Sequence, residues 1–257
     1  MDKTKINWCD STWNPVTGCL HGCEYCYAKS IANRFGTLFK SDTLPEDEGL
    51  TFLPDEPERF YELDEPVRNE TRKTEPYPAN FYPTFHRYRL SDYIGKKGRN
   101  IFVCSMADLF GDWVPDSWIE EVFKACEKAP QHNYLFLTKN PKRYEELGEK
   151  GMLPNSPNMW FGFSQTETGN KSIYIPAGNI FVSVEPILKE TRPYLTDWVI
   201  VGAETGRRKD KVVPKKEWIE QIVEDCRKYD IPLFMKSSLA DIWNDSLIQE
   251  FPVKLRK

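Results

Sequence analysis

Three cysteines lie close together near the start of the chain, at Cys19, Cys23 and Cys26. Thiolates are soft ligands that suit iron–sulfur clusters and zinc, so three of them in one short loop predict a metal site. Four protein ligands would close such a site, whereas three leave one coordination position for another molecule. A zinc site that takes His21 or Cys9 as its fourth ligand is the alternative.

The composition suits a single cytoplasmic domain. A chain of 257 residues has the typical size of one α/β barrel, so we expect one domain over residues 1–257. No apolar run approaches the roughly 20 residues that cross a bilayer, and the N-terminus lacks the order of a signal peptide, which predicts a soluble protein without a membrane partner. Seven cysteines, an odd number, favour metal binding or catalysis over a disulfide framework.

The charge argues for a small-molecule substrate. The net charge of −4 lacks the basic excess that proteins use to grip nucleic acid. The densest basic run, residues 206–211, is more typical of a solvated loop. Nucleic acid is therefore not expected as a partner.

From residue 81 onward, short apolar runs alternate with amphipathic segments, as in parallel strands connected by helices. Strands are predicted at 10–16, 81–87, 100–105, 133–138, 158–164, 179–184, 198–202 and 232–236, and helices at 24–35, 116–128, 141–150 and 215–229. About eight strands predict an α/β fold with a complete or partial (β/α) barrel, and a flat doubly wound sheet is the alternative. Residues 37–80 are rich in acids and prolines and predict an irregular insertion or lid after the first helix.

The spacing Cys-x-x-x-Cys-x-x-Cys, with Tyr25 directly before the last cysteine, resembles the signature of the radical S-adenosylmethionine enzymes. The resemblance implies that Cys19, Cys23 and Cys26 hold a [4Fe–4S] cluster and that S-adenosyl-L-methionine binds its fourth iron. It also implies that an electron donor such as flavodoxin or ferredoxin triggers cleavage of the cofactor to a radical, which takes a hydrogen atom from the substrate.

Polar residues at the carboxyl ends of the predicted strands are candidates for the rest of the site, because barrel active sites lie at this edge. For the nucleoside cofactor, Tyr25 is the candidate wall against the adenine and Lys139 the candidate partner of a carboxylate. Ser105, Ser164 and Gln165 are the candidates for contacts to the ribose.

Three acids follow apolar strands and are candidates for the substrate: Asp108, Glu185 and Glu204. A carboxylate can accept two parallel N–H donors from a guanine-like edge. The structural alternative is that these acids pair with basic residues across the barrel mouth, namely Lys139, Lys236 and Arg87. The sequence assigns no residue a direct catalytic role.

Four further phrases, at residues 10–19, 101–110, 182–186 and 198–206, together resemble a radical S-adenosylmethionine family first named from phage proteins. The tight cysteine spacing resembles the queuine lyase branch. That branch cuts a carbon–nitrogen bond of the deazapurine base queuine and releases 7-aminomethyl-7-deazaguanine. The resemblance therefore implies a queuine-like base as the substrate.

Two other function classes stay open. A radical enzyme that modifies tRNA or DNA would bind polynucleotides through residues 207–211, in a salt-sensitive manner. A metal-binding interaction module without enzymatic activity would hold zinc or an iron–sulfur cluster but cleave no cofactor.

Overall fold

The structure, a computed structural model, describes residues 4–36, 60–166, 173–206 and 208–256. The strands are β1 Ser11–Trp13, β2 Val16–Thr17, β3 Tyr61–Leu63, β4 Thr84–His86, β5 Asn100–Val103, β6 Asn133–Thr138, β7 Met159–Ser164, β8 Ile180–Val184, β9 Trp198–Val201 and β10 Leu233–Met235. The α-helices are α1 Tyr27–Phe35, α2 Asp116–Glu127, α3 Lys142–Glu149, α4 Lys216–Lys228 and α5 Ala240–Trp243. Short 3₁₀ helices lie at Arg87–Ser91, Ser237–Leu239 and Val253–Leu255.

Seven parallel strands form the main sheet, in the order β1-β5-β6-β7-β8-β9-β10. Apart from the jump from β1 to β5, neighbours in the sheet are also neighbours in sequence, and the sheet curls into a partial barrel. A doubly wound sheet would instead reverse its strand order at a switch point. The prediction of an α/β fold with a partial (β/α) barrel is therefore confirmed, and the flat alternative is not what the chain adopts.

The prediction of a barrel strand at 81–87 was wrong. Only Thr84–His86 is a strand, and it lies in a separate sheet of order β2-β4-β3, antiparallel to β2. The predicted strand at 10–16 is likewise divided between β1 and β2. Pro15 lies between β1 and β2, and Pro83 lies directly before β4. Proline has no N–H to donate to a strand ladder. The chain thus passes from the barrel into the small sheet just before the cysteine loop.

The predicted insertion at 37–80 is only partly described, because residues 37–59 lie outside the described residues. Within residues 60–80 the chain is mostly turns, but β3 pairs in parallel with β4 and contributes to the small sheet. The four predicted helices are present with shorter bounds. The longest, α4, has 13 residues, and none of the helices within the described ranges is long and apolar enough to cross a bilayer.

The concave side of the main sheet is filled at one end by aromatic rings. Alternate strand residues, such as Trp160, Phe181 and Trp198, pack there with Trp8 from the N-terminal segment and with Leu255 from the C-terminal segment. The strand residues between them face the helices instead, since successive side chains of a strand point to opposite faces. This aromatic plug leaves the carboxyl ends of the strands as the open end of the barrel.

A buried histidine supports the small sheet next to the cysteine loop. His86 is fully buried, its Nε2 lies 2.8 Å from Thr17 Oγ1, and its Nδ1 lies 3.3 Å from the hydroxyl of Tyr88. Burial, with a smaller contribution from the charge of Arg89, holds the pKa of His86 well below its ordinary value. Folding therefore requires this imidazole to be neutral.

We expect the protein to lose stability in mild acid through His86. The unfolded chain takes up a proton on this histidine below about pH 6.5 while the folded protein resists it, so the unfolding free energy should fall by up to about 1.4 kcal/mol per pH unit. The His86→Gln substitution should make the dependence shallower, as measured by urea unfolding between pH 5 and 7.5. The slope is the measured quantity, because replacing a buried residue lowers stability at every pH. An unchanged slope would contradict the assignment.

Candidate functional site

A cavity of about 180 Å³ opens at the carboxyl ends of the parallel strands. Phe102 belongs both to its lining and to the aromatic plug, so the plug forms the cavity floor. All but one of the residues that the sequence predicted for the site line this cavity: Cys19, Cys23, Tyr25, Cys26, Ser105, Asp108, Lys139, Ser164, Glu185 and Glu204. The structure therefore brings together residues from the cysteine loop and from five strand ends.

Two glycines shape the cysteine loop. Gly18 and Gly22 adopt left-handed backbone conformations, with φ of 86° and 67°. A side chain at Gly18 would collide with the carbonyl group of Tyr82, so this position also requires a close backbone approach. The loop ends at Cys26, which caps α1 because its Sγ accepts a hydrogen bond of 3.4 Å from the Lys29 amide. The loop conformation thus depends on two glycines and a cap within the loop, and on the close approach of Tyr82.

The three cysteines are half-buried on this loop. Within the described ranges, no three His, Cys, Asp or Glu side chains form a group that could hold a metal ion. Burial raises the pKa of Cys19 to about 12 and also raises the pKa of Cys23, which Lys139 opposes. Both side chains are therefore neutral thiols unless a cation compensates the thiolate charge.

Asp108 anchors the cysteine loop to the barrel. Its Oδ2 accepts a hydrogen bond of 2.7 Å from His21 Nε2 and one of 2.8 Å from the backbone N–H of Lys139, while Oδ1 accepts one from the N–H of Phe110 at 3.0 Å. The His21 ring also meets the edge of Trp113 at 4.8 Å between centroids. The sequence predicted Asp108 for substrate, but in the structure both of its oxygens are occupied by these donors.

Two tyrosines attach the same loop to neighbouring strand ends. Lys139 Nζ donates to the Tyr25 hydroxyl at 3.1 Å and lies 5.1 Å from the centre of that ring. The Tyr27 hydroxyl donates to the carbonyl of Ser105 at 2.7 Å, so its polar end is buried although its ring is half exposed. Burial raises the pKa of Tyr27, which keeps the hydroxyl a donor. The loop is thereby fixed to β5 and β6.

A fourth attachment reaches the far side of the cavity. Arg208 donates through Nε and Nη2 to the two oxygens of Glu204, each at 2.9 Å, and through Nη1 to Glu24 at 3.2 Å. The side chain of Glu204 is only 2% exposed, and its pKa is lowered chiefly by the hydrogen bonds from Arg208. Glu204 is therefore paired, and the predicted substrate contact would have to displace Arg208.

The third candidate acid has a different environment. Glu185 Oε1 accepts a very short hydrogen bond from Lys236 Nζ, at the end of β10. Gly202 lies against this pair, and a side chain there would come within 3.1 Å of both residues. The pairing with Lys236 matches one of the structural alternatives that the sequence offered. Arg87 takes no part, because it binds acids of the small sheet and of α2.

The candidate ribose contacts divide into three cases. Ser105 Oγ donates to Asn14 Oδ1 at 3.1 Å. Ser164 lines the cavity, and its hydroxyl has no hydrogen-bond partner among the described residues. Gln165 does not line the cavity, because its amide donates to the carbonyl of Arg192 and accepts from the N–H of Tyr194. Of the two serine hydroxyls, that of Ser164 is therefore the freer.

Sequence reasoning missed two organising residues. Asn14 Oδ1 accepts from Ser105 Oγ and from the Met106 amide, which shapes the strand end beside the cysteines. Nothing in the sequence around Asn14 indicates this role. Arg208 belongs to the basic run that the sequence assigned to a solvated loop, and only its acidic partners across the cavity distinguish it from its exposed neighbours.

Comparison with known proteins yields one match. A family profile described as "Protein of unknown function (DUF5131)" matches residues 3–245. No curated protein and no solved structure matches the chain. The match covers nearly the whole chain, including the cysteine loop and every strand end of the cavity.

We expect Asp108→Asn to loosen the cysteine loop. The amide replaces one acceptor oxygen with a donor that faces other donors, so the unfolding free energy should fall by about 2 kcal/mol. Hydrogen exchange should accelerate at the amides of Gly18 and Cys19, which bond the carbonyls of Met106 and Phe81. The exposed Asp210→Asn is the matched control. Equal exchange in the two variants would show that Asp108 does not hold the loop.

Proposed function

The chain belongs to the family described as Protein of unknown function (DUF5131), and we propose that it is a radical S-adenosylmethionine enzyme acting on a small heterocyclic base. One observation carries the proposal. The loop with the three cysteines borders the only open end of a parallel partial barrel within the described residues, and its cysteines line the cavity there. A group held by the loop would therefore contact a small molecule in the cavity.

The donor chemistry of the loop fits a [4Fe–4S] cluster. Cys19, Cys23 and Cys26 would hold it, since thiolates are its usual ligands. Space is present on the loop, because cavities of about 180 and 270 Å³ border it and all three cysteines line both. A bound cluster would supply the electron that cleaves S-adenosylmethionine.

The chain's own residues support the nucleoside part of the proposal. Phe102 and Leu137 give the cavity an apolar floor, and Tyr25 adds an aromatic ring that Lys139 holds in place. The hydroxyl of Ser164, which has no hydrogen-bond partner in the part of the chain that the structure describes, provides a polar contact of the kind that a ribose requires. Together these side chains can orient a nucleoside and exclude water from it.

For the substrate, we propose queuine, with carbon–nitrogen cleavage that releases 7-aminomethyl-7-deazaguanine. The support is the cysteine spacing together with an acidic residue, Glu185, in the lining of the cavity. A reducing cytoplasmic setting and a low-potential electron donor such as flavodoxin or ferredoxin belong to the same proposal.

A metal-binding interaction module is the second candidate. The hydrogen bond from His21 to Asp108 is the pattern by which carboxylates orient metal-ligating histidines, and the His21 Nδ1 atom remains for a metal. Zinc held by the cysteines and His21 would give a colourless protein without iron. Iron and sulfide analysis after anaerobic reconstitution separates the two candidates.

Polynucleotide binding receives less support. Arg208, in the densest basic run, has its guanidinium group directed to Glu204 and Glu24 instead of to solvent. A mobility-shift assay with tRNA at low salt tests this alternative, because phosphate contacts are strongly salt-dependent.

We expect Cys19→Ala, Cys23→Ala and Cys26→Ala each to abolish formation of 5'-deoxyadenosine after anaerobic reconstitution with iron and sulfide. Loss of one thiolate leaves a cluster with two protein ligands, which should also lower the bound iron. Cys126→Ala is the matched control, since Cys126 is buried in the core on α2. Retained cofactor cleavage in a loop variant would contradict the cluster assignment.

We expect anaerobic incubation of the reconstituted protein with dithionite, S-adenosylmethionine and queuine to yield 7-aminomethyl-7-deazaguanine. Mass spectrometry should show this base and 5'-deoxyadenosine appearing together. Unchanged queuine beside 5'-deoxyadenosine would reject the substrate and keep the enzyme class. A reconstituted protein without iron would reject the class itself.

A further inference from the structure

We propose that Glu185 is the residue that selects the substrate, and that it does so by accepting hydrogen bonds from the N–H edge of a neutral or cationic heterocycle. The inference rests on the proposed function and deepens it. It follows from comparing the three acids that line the cavity, because an acid binds substrate most readily with an oxygen that accepts no hydrogen bond from the protein.

In two of the three acids, both carboxylate oxygens already accept hydrogen bonds from the protein. Asp108 accepts from His21 and from two backbone N–H groups, and these bonds use both of its oxygens. Glu204 is held by Arg208 through both oxygens, and its side chain is almost completely buried. Recruiting either acid for substrate would break an attachment of the cysteine loop.

Glu185 keeps one oxygen available. Lys236 Nζ occupies Oε1, whereas Oε2 has no hydrogen-bond partner among the described residues. The side chain is 24% exposed and lies in the cavity lining, so this oxygen can be reached by a ligand. Glu185 is therefore the acid with both access and free acceptor capacity.

Lys236 and Gly202 position this carboxylate. The bond from Lys236 fixes one oxygen, and the absence of a side chain at Gly202 leaves space for the pair. A carboxylate held in this way pays little side-chain entropy when it binds a ligand. Lys236 and Gly202 are thus positioning residues for Glu185.

The chemistry of the free oxygen defines the ligand class. A carboxylate oxygen accepts N–H donors and repels phosphate and carboxylate groups. Adjacent ring and exocyclic N–H groups, as on a 2-amino-pyrimidinone ring, can both donate to this one oxygen, because a carboxylate oxygen has two acceptor lone pairs. A ligand without these donors would leave the carboxylate desolvated and unpaired, which discriminates strongly against it.

The test compares Glu185→Gln with the exposed Glu149→Gln, using titration calorimetry on the anaerobically reconstituted protein. The probes are 7-aminomethyl-7-deazaguanine and its analogue that lacks the 2-amino group on the pyrimidinone ring. Loss of one charged hydrogen bond should weaken binding of the first probe about 10- to 100-fold in Glu185→Gln and leave it unchanged in Glu149→Gln. The wild type should prefer the amine-bearing probe, and Glu185→Gln should lose most of this preference.

Equal affinity and equal preference in Glu185→Gln and wild type would overturn the assignment. If thermal unfolding shows that Glu185→Gln does not fold, Glu185→Asp replaces it. Because the aspartate side chain is shorter, its carboxylate is withdrawn from the ligand, and binding of the amine-bearing probe should weaken by a smaller factor. Formation of 5'-deoxyadenosine by the wild type is measured in parallel. Its absence would count against the proposed function, whereas its presence with unaltered probe affinity in the variants would count against Glu185 alone.

Discussion

The site depends on the buried carboxylate of Asp108, which accepts hydrogen bonds from His21 of the cysteine loop, from the amide of Lys139 at the end of β6 and from the amide of Phe110 at the same time. Hydrogen bonds to an ionised group are about twice as strong as neutral ones, and their loss would leave a buried charge unpaired. The loop itself has few backbone attachments to the barrel, so side chains must hold it. Glu24 and Tyr25, between the second and third cysteines, and Tyr27, directly after the third, add further attachments.

This interleaving explains how a glycine-containing loop can present thiols at a defined place. Residues that attach the loop alternate along the chain with the cysteines, so each cysteine has a fixed neighbour. The attachments reach strands on different parts of the sheet, which couples the loop to the barrel as a whole. The aromatic plug around Trp8 fills the other end of the barrel, and the cavity therefore lies at the end that the loop borders.

Charge pairing then decides which acids of the cavity remain available to bind a ligand. The mouth of the cavity is partly buried, and a carboxylate there is costly unless it is paired or hydrogen-bonded. Arg208 compensates Glu204 completely, whereas Lys236 compensates Glu185 through one oxygen. The difference between a structural acid and a candidate binding acid is thus a difference in the number of occupied oxygens.

The sequence by itself determined the alternation of strands and helices, the grouping of Cys19, Cys23 and Cys26 in one short loop, and the group of polar residues at the strand ends. These features depend on local periodicity, on side-chain type and on the rule that parallel strands end at one edge. Only the tertiary structure decided that residues 84–86 leave the barrel, that Gln165 serves the backbone, and that Arg208 bonds Glu24, 184 residues away. Such pairings depend on which strand ends face each other across the cavity, and no local pattern in the chain encodes that distance.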